Sequence, residues 1–84
     1  MTISHEAQQW LTDNNERYVG AIDSFPYLII TNRQHHMTPF LIRGYCPSRG
    51  IIYPDGFIGC DTANTAQFHL NKLVVKIMMS LNKR

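Results

Sequence analysis

Cys46, Cys60, His35 and His36 are four possible metal ligands in this 84-residue chain. Tetrahedral zinc takes such a set, usually from Cys-x2–4-Cys knuckles that offer two ligands from one turn. The two cysteines stand far apart in sequence, and neighbouring histidines on an extended chain point to opposite sides. They are therefore expected to be small core cysteines and loop histidines, with no metal bound. A nucleophile needs a base within hydrogen-bond reach and a group that orients the base. Cys46 with His35 or His69 and Asp61 offers the residue types but no spacing that brings them together. The carboxylates fall in the lead segment and at turn and cap positions, where they have structural roles. Gly56-x-x-Gly59 lacks the remainder of a phosphate-binding signature. The expectation is a protein that is not an enzyme, with no catalytic residue and no cofactor.

Composition points toward binding. Apolar residues make up 44% and charged residues 17% of the chain, which suits one globular domain over residues 1–84. So small a domain is mostly surface, and with few charges to cover it some apolar residues stay exposed, awaiting a partner or a second copy. Charge is unevenly placed. Residues 1–24 hold one cation, Arg17, against four carboxylates, and residues 25–84 hold seven cations against two. A basic body fits an acidic protein surface or nucleic acid. Two cysteines make no disulfide framework, and the stretch from Met1 to Leu11 has no apolar run of the signal-peptide kind. No window has the ~20 apolar residues of a membrane helix. The protein is expected to be cytoplasmic, with reduced thiols and no membrane contact.

The elements that must position these residues are legible from pattern. Ser4 can cap a helix over about His5 to Asn14, with Ile3, Ala7, Trp10, Leu11 and Asn14 on one side and Asn14-Asn15 as its stop. Arg17–Ile22 suits a strand, and Asp23-Ser24 a turn. Tyr27–Thr31 is the strongest strand, limited at its start by Pro26. Asn32–Met37 is a polar connection, and Phe40–Tyr45 is the next strand, entered through Pro39. Cys46–Gly50 is a turn. Pro54-Asp55-Gly56 is expected to close a tight hairpin between Ile51–Tyr53 and Phe57–Gly59, with Gly56 at positive φ. A final helix opens at Asp61 or Thr62 and runs to Leu81. Ala66, Leu70, Leu73, Val74, Ile77 and Leu81 form a stripe for the sheet, and Phe68, Val75 and Met79 a second stripe nearly opposite. The predicted fold is α+β: a short amino-terminal helix, an antiparallel meander of three to five strands, and a long carboxy-terminal helix packed on the sheet, with both helices on one side.

The run Gly56-Phe57-Ile58-Gly59-Cys60-Asp61-Thr62-Ala63-Asn64-Thr65-Ala66-Gln67 resembles the strand-to-helix joint of Apetala-type domains and of the amino-terminal domains of tyrosine integrases. The resemblance implies Thr62 as cap, Ala66 as the packing alanine, and DNA read from an open sheet face. Those families present a dense set of Arg and Trp there, whereas this chain offers Arg43 near the strand centres, with Arg17, Arg33 and Arg49 at ends and turns. In style the whole chain is similar to small accessory proteins of phages and mobile elements, many of which inhibit host defence complexes such as CRISPR effectors by stoichiometric binding. Tyr27, Tyr45 and Tyr53 are expected on the solvent face of the sheet, where Tyr and Arg together make a hot spot. The expected partner is therefore a larger protein or nucleoprotein complex, met by Arg43, Tyr45, Arg49 and Tyr53. Phe68, Val75 and Met79 are the candidates for a homodimer seam or a helix-side contact. The alternative is a DNA-binding accessory or regulatory protein that reads nucleic acid with its sheet.

Overall fold

Ser4 acts as the cap of the first helix. In the computed structural model, which describes residues 3–34 and 37–82, its Oγ accepts from the Ala7 N–H at 3.0 Å and starts α1, His5–Asp13. Asn14 caps the other end and Asn15 turns the chain at φ 60°, a conformation that short polar side chains tolerate. The same Ser4 hydroxyl donates to the Gly50 carbonyl at 2.6 Å. Gly50 sits at φ 68°, and a Cβ there would come within 2.9 Å of Ser4 Oγ, so the clasp needs glycine. Ser4→Ala loses both bonds, and urea unfolding should show a loss of about 1–2 kcal/mol. No change in midpoint would mean the clasp contributes nothing.

Five antiparallel strands follow: β1 Glu16–Ile22, β2 Phe25–Arg33, β3 Phe40–Cys46, β4 Ile51–Ile52 and β5 Ile58–Cys60. β2 is central to the register, with Ile30 opposite Ile42 on β3 and Thr31 opposite Leu41, while β1 pairs its other edge through a bulge near Tyr18 and Gly20. The expected Pro54-Asp55-Gly56 hairpin is not formed. β4 and β5 do not pair with each other. Both lie along the free edge of β3, with Ile52 opposite Tyr45 and Ile58 opposite Ile42. They are one returning strand, interrupted by an excursion over residues 53–57. Gly56 does take positive φ, 75°, but the turn chemistry serves a bulge out of the edge instead of a reversal.

α2, Ala63–Asn82, is capped by Thr62, whose Oγ1 accepts from the Thr65 N–H at 3.1 Å. It lays Ala66, Leu70 and Val74 on Phe25, Ile30, Ile42 and Cys60, with Leu73 and Ile77 partly buried beside them. Ile3, Ala7 and Leu11 lay α1 on Ile29, Tyr45 and Ile52. Adjacent strand residues face opposite ways, so Ile29 and Ile30 mark two separate cores. The helices therefore cover opposite faces of the sheet, not one. Unbroken apolar pairs such as Ile29-Ile30 and Leu41-Ile42 are the mark of strands buried on both sides. One further expectation is corrected: Leu81 is 64% exposed. A helix of 20 residues is about 30 Å long and outruns the sheet, so its core stripe ends at Ile77.

Candidate functional site

Arg43 was the central sheet-side candidate, and the structure turns it inward. It is 5% exposed. Its Nε and Nη2 donate to the two oxygens of Glu16, each at 2.7 Å. Nη1 donates to the Pro54 carbonyl at 3.0 Å, and Thr31 Oγ1 donates to Glu16 Oε1 at 2.9 Å. The guanidinium is flanked by the rings of Trp10 and Phe57, at 5.1 and 4.8 Å. The excursion between β4 and β5 explains this arrangement: it delivers Pro54 O and Phe57 onto Arg43. Each guanidinium nitrogen thus has a partner inside the fold, and a group so buried, forked onto a carboxylate and boxed by rings, is out of reach of a docking protein. It joins β1, β2, β3 and α1 at one point.

Tyr45 is also withdrawn. It is buried under α1, and its hydroxyl accepts from the Ser4 N–H at 3.0 Å. Arg43, Tyr45 and Leu41 share a face by alternation, and α1 with the excursion closes it. Arg49 and Tyr53 remain exposed, in the turn after β3 and the start of the excursion. Tyr53 lies against Gly44, where a Cβ would meet its ring at 3.1 Å. Of the expected tyrosine face, Tyr27 and Tyr53 are exposed and Tyr45 is not. The candidates Arg43, Tyr45, Arg49 and Tyr53 therefore do not form one surface.

A sheet covered on both sides leaves no open face for DNA over Ile29, Ile30, Leu41 and Ile42, all essentially buried. The strand-to-helix joint does have Thr62 as cap and Ala66 fully buried. Both features follow from the local need for a cap and a small residue at such a joint.

The thiols are held apart by register. Cys60 pairs with Phe40 and Cys46 ends the same strand, six residues on, about 20 Å away. One ion cannot take both, and His35 and His36 lie outside the described residues. Among the described residues no three His, Cys, Asp or Glu side chains cluster as a metal site would need. Asp61 follows Cys60 at the far end of β3 from Cys46, so Cys46 and Asp61 do not meet in a catalytic arrangement, and the His69 ring lies against Phe68 at 5.8 Å. The Cys46 thiol is lowered from its ordinary value, first by its hydrogen bond with Ser48, then by the Arg49 backbone and Tyr53. Burial, then the Asp61 charge, raises that of Cys60. Cys46 thus reaches its thiolate at lower pH, and Cys46 is the more exposed of the two. Iodoacetamide at rising pH should label Cys46 first and leave Cys60 largely unmodified in the folded state, read by mass spectrometry. Equal labelling would contradict the burial of Cys60.

The remaining candidates do stand together. Phe68, Val75 and Met79 are 58%, 56% and 61% exposed on the outer side of α2. At 100° per residue they fall within an arc of about 40°, directly opposite Leu70 and Ile77. Lys72 lies between them with its ammonium 5.2 Å from the Phe68 ring, and Lys76 flanks it. The opposite flank is neutral, with Gln67 Nε2 donating to Asn71 Oδ1 at 3.1 Å. α2 contains no carboxylate. No helix among the described residues is long and apolar enough to cross a membrane. Compared with protein-family models, with curated proteins and with solved structures, the chain matches none.

Proposed function

We propose that this protein is a non-enzymatic binding module that docks on a larger protein or nucleoprotein complex through the outer face of α2. The observation that carries this is the strip Phe68, Val75 and Met79, apolar and exposed on a helix whose other side is anchored by Ala66, Leu70 and Val74. A helix apolar on two sides is covered on two sides. The anchored side holds the strip rigid, so docking orders little beyond the side chains themselves. In the setting that the resemblance to phage accessory proteins implies, such docking blocks a host defence complex, for instance a CRISPR effector, by occupying a surface it needs. Arg49 and Tyr53 lie elsewhere and are left as minor contacts.

The test is affinity capture with the wild type and with Phe68→Ser/Val75→Ser/Met79→Ser as baits, after checking that both melt at similar temperatures. A partner held by the wild type should be lost from the triple variant. Retention of that partner at equal yield would move the binding surface off α2.

A further inference from the structure

The identity of the docking partner follows from how the strip is spaced and charged, given that α2's outer face is the docking surface. Phe68, Lys72, Val75 and Met79 recur at intervals of four, three and four. That is the spacing of a heptad seam. From Phe68 to Met79 the seam is about 16 Å long, roughly three turns. Phe68, Val75 and Met79 line this seam within about 40°, and the exposed Met78 and Leu81 extend the apolar surface to one side of it. The shape therefore fits a single helix laid along it.

The charges select which helix. Lys72 occupies one of the four seam positions, and Lys76 lines the same flank. Any partner covering the strip takes water from the Lys72 ammonium, and this is unfavourable unless a counter-charge replaces it. α2 has no Asp or Glu along its whole length. The α2 of a second copy, laid antiparallel, would set its own lysines on the same flank with no carboxylate to meet them. We propose that the strip receives an amphipathic helix of a partner protein, with an apolar ridge opposite Phe68, Val75 and Met79 and carboxylates along the one flank that meets Lys72 and Lys76.

The experiment uses two synthetic helical peptides as probes, each with a leucine seam. One carries Glu along the flank and the other Lys. The full protein is titrated with each and followed by NMR. The Glu peptide should shift the signals of Phe68, Val75 and Met79, more weakly as salt rises. The Lys peptide should bind at least about tenfold less tightly, as expected when like charges face each other across a contact. Lys72→Glu/Lys76→Glu should reverse the preference. Equal binding of both peptides overturns the carboxylate requirement and leaves α2 as the docking surface. No shift at the strip with either peptide overturns both. A solution mass of two chains in the absence of peptide, abolished by Phe68→Ser, gives the strip to a second copy and overturns the proposal. So does tight binding to phosphatidylserine vesicles that the Glu peptide cannot displace, which gives it to a lipid surface.

Discussion

Arg43→Ala should bring this domain close to unfolding at room temperature. The substitution leaves the Glu16 carboxylate buried without its partner, and breaking such a pair costs about 3–5 kcal/mol. It also strips the Trp10 and Phe57 rings of the cation between them and leaves the Pro54 carbonyl without its donor. A domain of this size holds roughly 4–13 kcal/mol in total. Each kcal/mol is worth about 4–8 °C in a small domain, so the melting temperature should fall by about 12 °C or more. Replacing both partners with apolar side chains, Glu16→Leu with Arg43→Met, removes both desolvation costs at once. The double variant should therefore be much more stable than Arg43→Ala, in a strongly non-additive cycle. Thermal and urea unfolding followed by circular dichroism measure Arg43→Ala, the double variant and the two single substitutions, Glu16→Leu and Arg43→Met, that close the cycle. A loss below about 1 kcal/mol for Arg43→Ala is what an exposed pair gives, and would show that the guanidinium is not enclosed as described.

Leu70→Ala and Phe68→Ala, two residues apart on α2, should have opposite consequences. Leu70 is fully buried between helix and sheet, and truncating such a leucine costs about 2–5 kcal/mol in transfer and cavity terms. Phe68 projects from the outer side, so its truncation should change stability by no more than about 0.5 kcal/mol. For partner affinity the order inverts. An aromatic anchor at the centre of a docked strip contributes about 2 kcal/mol or more, roughly a thirtyfold loss on truncation. Under conditions where Leu70→Ala remains folded, its affinity should be near that of the wild type. Unfolding curves and a binding titration on the same samples separate the two effects. A Phe68→Ala variant with lowered stability and full affinity would place Phe68 in the core and remove it from the docking surface.

The division between these two helix faces was readable from spacing alone, because residues three or four apart must share a side of any α-helix. The cap at Ser4, the stop at Asn14-Asn15, the positive φ of Gly56 and the cap at Thr62 were likewise local matters, settled by which backbone groups a nearby side chain can satisfy. The candidate site was legible to the same extent: Phe68, Val75 and Met79 form one surface because a single helix carries all three. Arg43, Tyr45, Arg49 and Tyr53 do not, because strand alternation tells which residues share a face without telling which face is covered.

The sequence by itself therefore determined the helices, the strand segments along the chain and the two-sided character of α2, since each depends on chemistry within a few residues. Only the tertiary structure decided that α1 takes the face opposite α2, that β4 and β5 form one broken edge along β3, and that Glu16 reaches Arg43 across Thr31. These contacts join residues far apart in the chain. Their free energy comes from burial and from mutual neutralisation in a dry interior, and neither exists until the distant segments have met.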